Sequence, residues 1–126
     1  MSLPIDLGGQ LVTQESLVAQ SLSGTVTGAA CNMQGYTSAA LVVSAGAFTG
    51  TNLVVKIQDC DTSGGTYADI STPITTGNIT VIGTTTPVPP VNIDLRLVRQ
   101  YLKAVATTTG GAVLGSAAIV GIKKMV

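Results

Sequence analysis

The chain has 126 residues, six basic and six acidic side chains, no net charge, no histidine and no tryptophan. That balance lacks the basic footprint of a nucleic-acid binder. Without histidine there is neither a Ser-His-Asp nor a Cys-His arrangement, and the commonest general base and metal ligand are both missing.

Hydrophobic residues make up 45% of the chain but aromatics only 3%. The apolar content is therefore Ala, Val, Ile and Leu, rich in β-branched residues that favour strands. Charged residues are 10% of the chain, against about 25% in an ordinary domain. Part of the surface is expected to face partners. The length suits one domain. Punctuation by Gly, Asn, Thr and Pro at short intervals predicts an all-β sandwich or barrel rather than βαβ units.

In chain order, "MSLPIDLGGQ" lacks the basic start and apolar core of a secretory signal, so synthesis in the cytoplasm is expected. Residues 1–22 are expected to form an extended N-terminal arm or edge segment, with the sandwich over 23–126. Thr13 offers a helix cap with Val18 and Leu22 behind it, yet "LVTQESLV" reads almost as well as a strand. The run "SAALVVS", Ser38 to Ser44, is continuously apolar and predicts a strand buried on both faces. From Leu53 to Asp59 the pattern alternates, with Leu53, Val55 and Ile57 on one side and Val54, Lys56 and Gln58 on the other. That is a half-buried strand.

The stretch "DCDTSGG", Asp59 to Gly65, mimics the front of a calcium loop, but Ile70 stands where the closing bidentate glutamate belongs. It also lacks the lysine and spacing of a phosphate loop. A turn between strands is the reading that remains, with Asp and Ser bonding locally and glycines supplying positive φ. "NITVI", Asn78 to Ile82, predicts a short strand. Its Asn-Ile-Thr glycosylation pattern carries little weight without a secretion signal. "GTTTPVPPV", Gly83 to Val91, cannot continue a central strand because proline removes ladder donors; it predicts a surface crossing or an edge. Tyr101 to Thr107 alternates again and is expected to form a hairpin with a strand near Ser116 to Lys123, the turn ending at Gly111. Lys123 and Lys124 are expected to keep an edge strand soluble. "GGAVLGSAAIVGI", Gly110 to Ile122, falls short of the ~20 apolar residues of a membrane helix, so no membrane partner is expected. Cys31 and Cys60 form no CxxC pair and are read as free thiols.

No catalytic, cofactor or metal site emerges. Arg96, Arg99 and Lys103 form a small basic cluster around Tyr101, either solvated strand ends or a salt-bridging contact with a partner subunit.

The run from Met33 to Ile70 resembles small structural proteins of tailed bacteriophages and prophages. The shared features are a Gly-aromatic-x-Ser start (Gly35, Tyr36, Ser38), an apolar strand ending near a glycine, a Lys-x-Gln strand (Lys56, Gln58), an Asp-rich glycine turn, and an aromatic two residues before Asp (Tyr67, Asp69). "RQYLKAVATTTGG", Arg99 to Gly111, is similar to the Arg-x-aromatic strand and glycine turn that close the same proteins. Together these stretches cover about half the chain. The sequence departs from the pattern at Cys60 within the turn and at Ala68 beside Asp69. The resemblance is to capsid decoration, or cement, proteins. It implies an all-β fold, a single antiparallel β-sandwich of jelly-roll or Ig-like type, and a non-enzymatic protein on the outer surface of the virion that bridges major capsid protein subunits, often as a homotrimer, with no cofactor. Tyr36, Phe48, Tyr67, Arg96, Arg99 and Tyr101 are the candidate interface residues, since interface cores favour aromatics; filling the domain's own core is the competing role for the aromatics. An arm pairing with a neighbour's sheet edge is a further expectation. The alternatives are a tail or baseplate sandwich and, in a different class, a carbohydrate-binding module, against which the scarcity of aromatics for sugar stacking counts.

Overall fold

The computed structural model describes residues 11–70, 79–82 and 90–123. The side chains of 47, 48, 79–82 and 123 lie outside this description, as do the proline-rich residues 83–89. Within it the fold is all-β: β1 (Leu11–Leu22), β2 (Thr25–Thr27), β3 (Cys31–Asn32), β4 (Tyr36–Phe48), β5 (Asn52–Cys60), β6 (Ala68–Asp69), β7 (Ile79–Ile82), β8 (Val91–Ile93), β9 (Tyr101–Thr109) and β10 (Val113–Lys123).

Two antiparallel sheets pack face to face. The first has the order β1-β10-β4-β8. In the second, β9 and β5 are central, β2 and β3 share the outer side of β9, and β6 and β7 share the outer side of β5. Each sheet thus has four positions, and successive strands cross between sheets in the two Greek keys of a jelly roll. Of the two sandwich types open to the sequence, the connectivity selects this one.

The core lies between the sheets and follows the period of two in each strand. On β5, Leu53, Val55 and Ile57 are buried while Val54, Lys56 and Gln58 are half-buried on the outside, as the alternation predicts. From the first sheet, Leu41, Val43, Val113, Ala117 and Ile119 point in to meet them. Each fully buried Leu, Val or Ile contributes about 1.5–3 kcal/mol by leaving water. Leu11–Leu22, ambiguous between helix and strand, is fixed as an edge strand by its pairing with β10 from Leu11↔Ile122 to Leu22↔Val113. Local propensity left the choice open and tertiary pairing made it.

Three expectations are corrected. Ser38 to Ser44 is not buried on both faces: Ala39, Leu41 and Val43 enter the core, whereas Ala40 and Val42 look outward and are half-buried. In addition, β10 is no edge strand. It sits between β1 and β4, and its pairing with β4 runs from Phe48 at one end to Tyr36 at the other. A buried serine ties the two sheets at their shared corner. Ser16 Oγ donates to the carbonyl of Ala29 at 2.7 Å and accepts the amide of Ala104 at 2.9 Å, so two backbone groups near the core are satisfied by one hydroxyl. The third corrected expectation is the hairpin of β9 and β10: β9 pairs with β5 in the second sheet while β10 pairs with β1 and β4 in the first. The turn between them therefore crosses from sheet to sheet, with Gly110 and Gly111 at φ of 80° and 155°, values that suit glycine.

Candidate functional site

Charge is unevenly distributed in this fold. Between Ser16 and Val55, between Ile70 and Ile93, and again between Ala104 and Ile122, the chain carries no Asp, Glu, Lys or Arg. In the described residues the jelly roll gathers most of the charged side chains at one end of the sandwich and over the outer face of the second sheet; Glu15, exposed on β1 and paired with Ala118, lies on the first sheet instead.

At that charged end, Arg99 and Asp59 make the closest polar constellation. Asp59 ends the inward row of β5 and is 8% exposed. Arg99 Nε and Nη2 donate to its Oδ1 at 3.2 and 3.0 Å, the Arg99 amide donates to Oδ2 at 3.0 Å, and Nη2 also reaches the Asp59 carbonyl at 2.9 Å. Asp61 Oδ2 lies 3.9 Å from Nη1. These contacts raise the Arg99 guanidinium above its ordinary range, the Asp59 hydrogen bonds being the largest cause. The pair staples the β8–β9 loop onto β5, and Asp59 is committed to an internal partner. Among the described residues no three His, Cys, Asp or Glu side chains converge as a metal site requires.

The six candidate interface residues separate into different places. Tyr36 is half-buried and packs on the core; its ring lies against Gly121, where a Cβ would strike it, and its hydroxyl is 3.5 Å from Gln14 Nε2. Tyr36 and Arg99 line one cleft of about 290 Å³ with Met33, Leu95, Val98 and Gln100 among its other walls. Tyr67 and Tyr101 lie instead by the second sheet. The Tyr67 hydroxyl donates to the Ser63 carbonyl at 2.8 Å and Lys103 Nζ stands 4.0 Å from its ring centroid, while half-buried Tyr101 pairs with Cys60 across the sheet. Arg96 is exposed and binds Asp94 two residues back through Nε at 3.0 Å and Nη2 at 2.9 Å, holding that carboxyl below the usual carboxylate range. Phe48 ends β4 at the opposite end of the molecule, and its side chain lies outside the described residues.

The outer face of the second sheet is polar and internally satisfied. Asp69 accepts from Gln58 at 2.8 Å and from Lys56 at 3.0 Å, and these bonds, Gln58 first, hold its carboxyl low. The outer face of the first sheet differs in kind. Ala40, Val42, Ala118 and Val120 lie at its centre, half-buried, beside the exposed Glu15 and Thr13 that β1 pairs with Ala118 and Val120, with Leu114 51% and Ile122 37% exposed at its ends. Of the large apolar side chains most exposed among the described residues, Val18, Leu97, Leu114 and Ile122, three belong to β1 and β10 of this sheet. Aromatic and basic markers did not find this face.

Both cysteines are buried and free. Burial pushes the Cys31 thiol up from 9 to about 11. A neutral thiol favoured by the fold contributes stability that is complete below pH 9 and is lost as pH rises through 11. The expected loss over that window is on the order of 2–3 kcal/mol, since two units correspond to about 2.7 kcal/mol. Urea midpoints of the wild type and Cys31→Ala at pH 8 to 11 check this: the wild type should lose more stability than the variant, and parallel curves would contradict it.

No protein-family model matches the chain, and no curated protein does. Among solved structures it is similar to the SPBc2 prophage-derived protein YomS, with 11% sequence identity over 94% of this chain and 99% of that one and a TM-score of 0.49.

Proposed function

We propose that this chain is a non-enzymatic structural protein of a phage virion, which binds the outside of the capsid and stabilises the head by bridging major capsid protein subunits. The observation that carries the reading is the segregation of charge. A jelly roll that collects most of its charged groups at one end and on one outer face, with Glu15 as the charge described on the other, has two unlike sides, and the more aliphatic one is suited to lie against a partner. The sequence resemblance to cement proteins supplies the identity of the partner, and a homotrimer on the shell is the assembly that it suggests. The carboxylates of the Asp59–Gly65 region are used in a turn and an ion pair, which favours a scaffold over a catalytic centre.

The mechanism is mass action. A protein that binds the closed lattice and not its separated subunits shifts the equilibrium toward the lattice, by about 2.7 kcal/mol per site when present at a hundredfold its Kd. Expanded capsids of the encoding phage that lack the protein provide the test. Co-sedimentation should saturate, and the melting temperature of the shells should rise with occupancy. Failure to sediment with heads, with the protein found in purified tails instead, would replace the capsid reading by a tail one.

A further inference from the structure

We propose that Asp61 to Asp69, the turn after β5 together with β6, is a flap that opens on its own and uncovers Cys60 while the sandwich stays folded. The alternation of β5 places Cys60 with Val54, Lys56 and Gln58 on the outward row, since Leu53, Val55, Ile57 and Asp59 take the inward one. An outward side chain on a polar sheet face is ordinarily wet, yet Cys60 is only 5% exposed and stands apart from the core cluster between the sheets. Its cover is the flap. Gly65 lies so close over the sulfur that a Cβ built there would stand 2.5 Å from Sγ, and Thr62 Oγ1 is 3.9 Å from the same atom.

Little holds this cover down. Residues 61–66, 68 and 69 are exposed and Tyr67 is half-buried, so the flap gives the fold no buried apolar side chain. Its ladder to β5 is two pairs long, Gln58↔Asp69 and Asp59↔Ala68. The Tyr67 hydroxyl on the Ser63 carbonyl and the Gly65 amide on the Thr62 carbonyl at 3.3 Å shape the flap from within and tie it to nothing else. Its side-chain ties to the rest of the sheet are Lys103 on the Tyr67 ring, Lys56 and Gln58 on Asp69, and Arg99 Nη1 on Asp61. All but the Gln58 bond rest on a cation near water, where ion pairs and cation–π contacts are weak and salt weakens ion pairs further. The ends, by contrast, are firm. Asp59 is fixed by Arg99, and Ile70 packs on the core while its amide donates to the Ile57 carbonyl at 3.2 Å. A segment with anchored ends and no core side chain of its own opens locally, at a cost below that of global unfolding. The second sheet thus has a closed state and an open one that presents a thiol to solvent. Cys31 is the internal control: it is 2% exposed within the core cluster, so only unfolding of the sandwich uncovers it.

The test needs the purified protein alone and does not depend on the capsid reading. Pulses of iodoacetamide in mildly alkaline buffer, with peptide mass analysis to assign the site, compare the two thiols of the wild type at urea concentrations below its unfolding transition. Cys60 should be alkylated at least about tenfold faster than Cys31, at a rate nearly flat with urea, whereas Cys31 labelling should climb steeply, because only global opening exposes enough surface for a large urea slope. Lys103→Met removes the cation from the Tyr67 ring and should speed Cys60 labelling about two- to fivefold. Gly65→Ala, whose methyl would meet the sulfur, should speed it more. Thermal melts show that each variant is folded, and the Cys31 rate reports any change in global stability. Labelling of Cys60 with the rate and urea slope of Cys31 overturns the flap, since its cover would then belong to the cooperative fold. Labelling as fast as in the urea-denatured chain overturns it from the other side, because no closed state exists at rest. A Cys60 rate indifferent to both Lys103→Met and Gly65→Ala would assign the cover to another part of the chain and overturn the proposal equally.

Discussion

Leu53→Ala should lower the stability of the free protein by about 3–5 kcal/mol, the range for a leucine truncated at a site that cannot collapse. Leu53 is fully buried at the start of β5, paired with Thr108 on one side and Val81 on the other. From the opposite sheet, Gly115 faces it: a Cβ built there would stand 3.6 Å from Leu53 Cδ2 and 3.3 Å from Leu22 Cδ1. The small residue across the gap leaves room for the leucine, and β-strands hydrogen-bonded on both sides hold that gap open when it is truncated. A fall in melting temperature of about 15 °C is expected for a chain of this size. Leu114→Ala provides the contrast, because this leucine is outside the core; it should change stability by less than about 0.5 kcal/mol. Equal losses in the two variants would mean that the outer face is packed in the free protein.

The second large effect is expected at Arg99. Removing its side chain in Arg99→Ala leaves the Asp59 carboxylate in the protein with only the backbone amide at position 99 as a charge-stabilising donor. Breaking one member of a buried pair costs about 3–5 kcal/mol. The Arg99 side chain is 40% exposed, so solvent screening makes the expected loss smaller than that of a fully buried pair. The cycle through Asp59→Ala and the double variant separates the pair from its parts. The double variant should be more stable than the sum of the single losses predicts, since it buries no orphan charge. If Arg99→Ala is instead as stable as wild type and loses capsid binding, the guanidinium belongs to a partner and the ion pair with Asp59 is incidental.

These two residues also mark what was readable before the fold was known. The inward row of β5 could be read directly because Lys56 and Gln58 label the outer side of a strand whose other side is aliphatic. The Asp59–Gly65 turn was legible for a similar reason, as its residue types are those that reverse a chain locally. Arg99 was visible only as part of a basic cluster, since its partner lies 40 residues away and nothing local announces a pair brought together by sheet topology. The misreading of Ser38 to Ser44 has a more general cause. An aliphatic outward row and an aliphatic inward row look alike in a sequence, whether the outer one is covered by the same domain or by another molecule. Aromatic side chains carry no such label of side either: Tyr36 packs inward on the core and Tyr67 is held by its own loop.

The strand order also constrains how the molecule is made. The central strands of both sheets next to β4 and β5 are β10 and β9, the last two described along the chain. Until they leave the ribosome, β1 has no partner in its sheet, and β2 and β3 have none in theirs. Nascent chains must carry β4 and β5 with one side of each unpaired, exposing aliphatic edges that invite association with other chains. Because nearly all of the ladder joins residues distant in sequence, closure is also slow by comparison with folds built from local contacts. Folding is thus a late and largely all-or-none event, and a chain stopped before Tyr101 should yield insoluble material rather than a smaller sandwich.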